Sequence, residues 1–254
     1  MKDCPTPNPF RFSTCVINSA RLAFMAALTL TGSGLSIQAA TVIDDHFSGN
    51  SGGTPANWSS LGGGTVVEST TTVTFTDTTS FGTGILSSSS YNPQSTTTTM
   101  VADLTGFSGT GEQQAFVSMV SDTFNYFHAV IRNTGAVHAY SDLGGGFVDH
   151  SLGTITGYSG GAVQMTVTMD GDSFSIQTDV GSFDTGDTLY SNTTLGFSSL
   201  AGMGTSVSPA LIALGGDSKA TFDRIVVSTE PIPEPSSLAL ITIGLFLGTT
   251  RRQR

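Results

Sequence analysis

Positively charged residues are nearly missing from the centre of this 254-residue chain. Positions 41–230 contain only Arg132, Lys219 and Arg224 against 17 acidic residues, so this segment has a formal charge of −14. Such a surface repels phosphate backbones, and we expect no nucleic-acid partner. The same charge helps to keep an exported protein soluble.

Cysteine is also absent from this central segment. The two cysteines of the chain, Cys4 and Cys15, both precede an apolar run at 22–30. A domain of this length can bury a stable core without a disulfide, so the lack of cysteine does not argue against export. The four histidines lack the spacing of a transition-metal site, and no Gly-x-Ser-x-Gly nucleophile motif accompanies a helical pattern.

The N-terminal segment 1–40 has the order of a secretory signal peptide. Three basic residues precede its apolar run: Lys2, Arg11 and Arg21. The run has nine residues, too few to span a bilayer as a helix, and small residues follow it up to Ala39 and Ala40. We therefore expect the export machinery and signal peptidase as partners, with cleavage after Ala39 or Ala40.

The C-terminal segment 231–254 has three parts. In chain order they are the motif Pro233, Glu234 and Pro235, an uncharged stretch at 236–250, and a basic end formed by Arg251, Arg252 and Arg254. As a helix of 15 residues the stretch would be about 22 Å long, which is short for a hydrocarbon core of ~30 Å. The arginines would stop it in the inner membrane with the basic end in the cytoplasm. We expect a helix that stays in the membrane only temporarily.

This tail resembles the PEP-CTERM sorting signal of Gram-negative bacteria over about the last 22 residues. The resemblance implies that an exosortase, a membrane-embedded protease, cuts near the Pro-Glu-Pro motif and releases or transfers the protein outside. Proteins with this signal are associated with exopolysaccharide and biofilm production. The alternative is an ordinary C-terminal membrane anchor.

Positions 41–230 form the predicted body of the protein. Short runs in which apolar and polar residues alternate are separated there by Gly, Ser, Asn and Asp, which is typical of β-strands and turns. Eleven runs are predicted strands: 42–47, 65–68, 73–76, 97–104, 115–121, 126–132, 136–141, 163–169, 173–178, 194–198 and 220–228. This pattern predicts an all-β, two-sheet jelly-roll sandwich, with the signal helix and the membrane helix outside the domain.

Segments 44–49 and 221–227, together with Trp58, resemble parts of a concanavalin A-like or laminin G-like jelly roll. The two segments correspond to the first and last strands, which lie near each other in that fold. Some proteins of this fold are glycoside hydrolases, which need two carboxylates at the scissile bond. The body has three glutamates, Glu68, Glu112 and Glu230, and none stands in the Glu-x-Asp-x-x-Glu pattern of laminarinase-like glucanases. We expect no catalytic residue and no enzymatic activity.

Aspartates make calcium the ion to consider. Five aspartates would supply hard oxygen ligands: Asp44, Asp45, Asp170, Asp172 and Asp223. Asp170 also belongs to the Asp-Gly pair of a predicted hairpin turn. The alternative is that these side chains only shape turns or meet solvent. We expect no other cofactor.

A second predicted hairpin, with Gly135 in the left-handed position of the loop 133–135, sets the faces of two strands. One face takes Phe127, Ala129, Ile131, Val137 and Ala139. The other takes Tyr126, His128, Arg132, His138 and Tyr140. Aromatic rings stack on the C–H faces of sugars, and Arg and His donate hydrogen bonds to hydroxyls, so this second face is the predicted glycan-binding site. The alternative is an ordinary solvent face, or a face buried against another sheet.

These features together predict an exported protein that resides briefly in the inner membrane and then reaches the cell surface or the medium. Its body is interpreted as a non-catalytic module that binds extracellular polysaccharide or belongs to a biofilm matrix. A secreted glycan-active hydrolase and an inert structural surface protein remain the alternatives.

Overall fold

The structure, a computed structural model, describes residues 39–77, 82–122, 125–143, 146–170, 173–189, 203, 206–215 and 217–231. The chain divides into two units, Met1–Gln38 and Ala39–Arg254. The predicted signal segment up to position 38 and the sorting tail from position 232 lie outside the described residues, so both stay predictions. Within the described ranges, no helix has the length and apolarity to cross a membrane.

Fifteen strands account for most of the described residues. They are β1 Ala40–Asp45, β2 Trp58–Gly62, β3 Thr65–Glu68, β4 Val73–Asp77, β5 Thr83–Ser87, β6 Thr96–Phe107, β7 Gln114–Asp122, β8 Asn125–Arg132, β9 Ala136–Leu143, β10 Val148–Thr154, β11 Val163–Asp170, β12 Ser173–Thr178, β13 Thr188–Leu189, β14 Ser208–Leu214 and β15 Ser218–Pro231. Ten of the eleven predicted runs overlap one of these strands, and the run 194–198 lies outside the described residues.

The strands form two antiparallel sheets. Sheet A has eight strands in the order β13-β12-β11-β6-β15-β4-β3, with β1 also paired to β15. Sheet B has seven strands in the order β10-β9-β8-β7-β14-β5-β2. The first strand therefore lies beside the last, as the jelly-roll resemblance implied, with Ala40 opposite Thr229 and Asp45 opposite Ile225.

The core lies between the inner faces of the two sheets. On β11 every second residue from Val163 to Met169 is buried, as expected for a strand with one solvent-facing side. The Phe127 ring of sheet B contacts the Phe174 ring of sheet A with centroids 4.9 Å apart. Apolar side chains of the two sheets are thus buried against one another, and the removal of this surface from water stabilises the packing of the two layers.

Both predicted hairpins are confirmed. The Gly135 N–H donates to the Arg132 carbonyl over 2.8 Å, and Gly135 has a φ of 87°, which favours glycine at this position. In the β11–β12 hairpin, Asp170 lies opposite Ser173. Positions 171 and 172, including the predicted ligand Asp172, lie outside the described residues.

Candidate functional site

Sheet B carries aromatic side chains on the face that points away from the core. On β8, Phe127, Ala129 and Ile131 are buried in the inter-sheet core, so strand alternation places Tyr126 and His128 on the opposite face. Arg132 lies on the same outer face by alternation along β8, and the β8–β9 register adds Tyr140 opposite His128 and His138 opposite Val130. All five share one face, as predicted, but they form two separate groups.

Tyr126 and His128 form the first group. Their rings stack with centroids 4.4 Å apart and an interplanar angle of 16°. The Phe116 ring of β7 lies 5.2 Å from the imidazole. Ring contacts of this kind restrict the side chains that make them, so the pair is already ordered before any ligand arrives.

His128 is hydrogen-bonded to a buried serine that the sequence analysis did not identify. The Nδ1 atom of His128 lies 2.7 Å from the Oγ atom of Ser118, which stands directly opposite on β7. Burial lowers the pKa of His128 to about 3, because a charged imidazole would lose its hydration there. The ring is therefore neutral at physiological pH. Ser118 is 0% exposed, so its hydroxyl cannot act as a nucleophile on an external substrate.

A cleft of about 360 Å³ opens beside the stacked pair. Its lining residues come from five strands of sheet B and the adjoining loops: Leu61, Gly62, Gly82, Leu86, Val120, Ser121, Asp122, Tyr126, His128 and Ile212. Leu61, Leu86 and Ile212 contribute large apolar side chains to the lining. The polar side chains come from the stacked pair and from Ser121 and Asp122. An apolar concavity with a few polar groups at one side is the usual form of a small-ligand site.

Arg132, His138 and Tyr140 form the second group, and none of them lines the cleft. The Arg132 guanidinium donates to the Tyr140 hydroxyl over 2.8 Å and lies 3.2 Å from the Glu112 carboxylate. His138 Nδ1 lies 2.7 Å from Asp149 Oδ1. Burial raises the pKa of Tyr140, an effect that the Arg132 hydrogen bond opposes. Each of these side chains has at least one polar partner in the protein, although the Arg132 Nε atom is buried without one in the described part of the chain.

An exposed aromatic side chain lies at the border of the second group. Phe147 is 61% exposed and its ring centroid is 5.7 Å from that of Tyr140. Nothing in the sequence pattern singled it out, because it precedes β10 rather than lying in an alternating run.

The glutamates are engaged elsewhere. Glu68 is 3% exposed, and its carboxylate accepts hydrogen bonds from the backbone N–H groups of Gly49 and Ser51, each over 3.1 Å. Glu112 pairs with Arg132, and Glu230 lies on β15 opposite Thr97. None of the three lines the cleft.

The aspartates predicted for calcium bind protein groups. Asp45 accepts from the Trp58 indole N–H over 2.7 Å and from the Phe47 N–H over 2.8 Å. Asp44 Oδ1 lies 3.4 Å from Arg224 Nε and also 3.4 Å from a nitrogen of His46. Among the described residues, no group of three or more His, Cys, Asp or Glu side chains is placed to hold a metal ion.

Two of the predicted aspartates remain. Burial, followed by the charge of Asp103, raises the pKa of Asp223, and its Oδ1 atom is buried without a hydrogen-bond partner in the described part of the chain. Asp170 accepts from the Ser173 backbone and hydroxyl, both over 3.1 Å, and so shapes its hairpin. Calcium stays a prediction.

The two antiparallel sheets and their crossovers define a concanavalin A-like jelly roll, which confirms the predicted fold class. One similar solved structure is SCLam, a non-specific endo-β-1,3(4)-glucanase from glycoside hydrolase family 16. It shares 11% identity at a TM-score of 0.52, over 76% of this chain and 93% of that one. An immunostimulatory antigen and pseudo β-1,3-glucanase of Mycobacterium tuberculosis shares 14% identity at a TM-score of 0.52, over 74% and 98%.

A glycoside hydrolase family protein from Mycobacterium thermorestibile is also similar, with 15% identity and a TM-score of 0.50 over 73% of this chain and 99% of that one. Identities this low establish a shared fold and nothing more. No protein-family model and no curated protein matches the sequence.

Proposed function

We propose that the body of this protein binds a glycan in the sheet B cleft and does not cleave it. The observation that carries this proposal is the stacked Tyr126–His128 pair at the side of a cleft of about 360 Å³. An aromatic ring offers the flat apolar surface on which a sugar ring packs, and the imidazole offers a hydrogen bond to a hydroxyl. The jelly-roll fold shared with a glucanase and a pseudo-glucanase supports a carbohydrate as the ligand class.

The carboxylates support binding without hydrolysis. Glycosidases place two carboxyl groups on either side of the scissile bond. The glutamates lie outside the cleft lining, and among the described lining residues Asp122 is the one carboxylate. The Asp122 carboxylate also accepts from the Asn125 side-chain amide over 3.0 Å. A single carboxylate cannot supply both the acid and the base or nucleophile that hydrolysis needs.

A glycan screen of the full chain tests this function. We expect binding to at least one oligosaccharide with no release of reducing sugar. Tyr126→Ala is expected to weaken that binding by about tenfold, equivalent to about 1.4 kcal/mol, because the stacking surface is lost. Tyr126→Phe keeps the ring and should stay close to wild type, as should Val67→Ala, an exposed side chain of sheet A.

Two results would contradict the proposal. Release of reducing sugar that disappears in Glu112→Gln would support the hydrolase alternative. Failure of every glycan both to bind and to raise the melting temperature would support an inert structural role.

We further propose that the protein is exported and sorted by its two end segments. The supporting features are the signal-peptide order of 1–40 and the Pro233-Glu234-Pro235 motif, apolar stretch and arginines of the tail. Mass spectrometry of the extracellular protein from its native host is expected to find a mature N-terminus at Ala40 or Thr41 and a C-terminus near the motif. An extracellular protein that retains Arg251–Arg254 would exclude sorting by cleavage.

A further inference from the structure

Ser118 and His128 form a buried polar contact whose hydrogen has one consistent position. Ser118 is 0% exposed and His128 is 9% exposed, and the Oγ–Nδ1 distance is 2.7 Å. Within the described ranges, the Ser118 hydroxyl has no other hydrogen-bond partner. The direction of this one bond therefore decides which imidazole nitrogen carries the proton of the neutral ring.

If His128 donated from Nδ1 to the serine, the serine's own hydrogen would be buried without an acceptor. A buried polar hydrogen without an acceptor has lost its bond to water and gained none in return, so it destabilises the folded state. If the serine donates instead, its hydrogen is satisfied by the Nδ1 lone pair, and the imidazole proton lies on Nε2. The second arrangement leaves no buried hydrogen unpaired, so it is the favoured one.

The Nε2 atom of His128 has no protein partner in the described part of the chain. This atom is not fully buried. His128 lines the cleft, so this nitrogen is the part of the ring that a ligand can reach. The groups around the ring are Phe116 and Ser118 from β7, Tyr126 from β8 and Tyr140, which lies opposite on β9. Among these neighbours no cationic side chain competes for an acceptor on the ligand.

Two acidic groups lie on the Tyr126 side of the cleft. Asp122 at the end of β7 lines it, and Asp142 lies opposite Tyr126 on β9. Burial raises the pKa of Tyr126, and the charge of Asp142 adds to this effect. These carboxylates would disfavour an anionic group in the cleft. A neutral N–H donor is instead suited to a sugar hydroxyl or ether oxygen.

We propose that Ser118 is a positioning residue that fixes His128 as the neutral Nε2–H tautomer, so that the cleft presents a hydrogen-bond donor to an uncharged oxygen acceptor on its ligand. The identity of that acceptor rests on the proposed glycan function. The tautomer does not, because it follows from contacts inside the protein.

The tautomer can be read directly from ¹⁵N NMR spectra of the histidine rings in the full chain, with His128→Gln used to assign the signals. We expect the wild type to show the pattern of a ring protonated on Nε2 and bare on Nδ1, unchanged from pH 8 to pH 5. Ser118→Ala should lose this pure pattern and move toward the average of the two tautomers. Ser118→Thr keeps a hydroxyl and should restore it.

A wild-type ring protonated on Nδ1 would overturn the proposal, and so would a Ser118→Ala spectrum identical to wild type. The wild-type spectrum alone is sufficient for the first outcome, even if Ser118→Ala fails to fold. No glycan is needed for these spectra, so a failure here is distinguishable from a failure of the glycan screen.

Discussion

Replacing Phe127 with alanine is expected to lower the free energy of unfolding by about 3–5 kcal/mol. Phe127 is fully buried on the inner face of β8, and its ring contacts Phe174 of β12 across the two sheets. Removing the ring leaves a cavity between layers whose backbones are fixed by their own hydrogen-bond ladders, so the site cannot collapse to fill it. Urea denaturation followed by circular dichroism measures the loss as a lower midpoint.

Phe147→Ala is the matched control for this experiment. It removes the same ring from a position that is 61% exposed, and the expected change is within about 0.5 kcal/mol. Equal effects of the two substitutions would mean that the interface between the sheets is not the core of the fold.

Acidification from pH 7 to pH 4 is expected to remove about 3 kcal/mol of stability through His128. In the unfolded chain this histidine has its ordinary pKa of 6.5, whereas burial lowers the folded value to about 3. At pH values between these two pKa values, the imidazole of His128 is protonated in the unfolded state and neutral in the folded state. Stability is therefore full above about pH 6.5 and declines by about 1.4 kcal/mol for each pH unit below it, until the folded pKa is reached.

Denaturation curves of the wild type and of His128→Leu, measured at several pH values, isolate this contribution. The two proteins differ at this one side chain, so the difference between the two pH profiles reports on His128. A wild-type profile parallel to that of His128→Leu between pH 7 and pH 4 would show that the ring is not buried as a neutral group.

Local patterns were sufficient to predict most of the fold. Apolar and polar residues alternate regularly along the run 163–169, which predicts a strand with one apolar face. The observed strand β11, Val163–Asp170, covers the whole of this run. The loop 133–135 predicted its own hairpin because glycine is the residue that adopts a positive φ without strain. This loop fixed a β8–β9 register that correctly separated the core face of β8 from its outer face.

Five strands were missed, for identifiable reasons. β14 carries Pro209 and then a continuous apolar run, so its sequence shows no alternation, although only the face with Pro209, Leu211 and Ala213 is buried throughout. β5 contains Gly84, whose close approach to the Leu211 carbonyl leaves no room for a Cβ atom. β10 is a polar edge strand, β2 is a largely exposed edge strand rich in serine and glycine, and β13 has only two residues.

Because these strands were not predicted, the cleft could not be predicted either, although the two aromatic residues at its side were. Tyr126 and His128 lie on a strand with clear alternation, but Leu61, Leu86 and Ile212 lie on β2, β5 and β14. The separation of the five binding residues into two groups depends on Glu112 and Asp149, which are distant in sequence from the strand that carries Arg132. The Ser118–His128 contact could have been predicted, because the pairing of β7 with β8 places these two residues directly opposite each other.

The pairing of the first strand with the last determines how the fold responds to mechanical force. Since Ala40 lies opposite Thr229, the first and last strands of the body have their outer termini at the same end of sheet A. A force that separates these two termini would break the hydrogen bonds between β1 and β15 one residue pair at a time. A pull on the C-terminal end against a point on sheet B would instead drag β15 lengthwise past β6, with which it pairs from Ala220 to Pro231, and load those bonds simultaneously. We therefore expect the fold to yield at a low force when β1 is peeled away and at a higher force when β15 is pulled along its own axis.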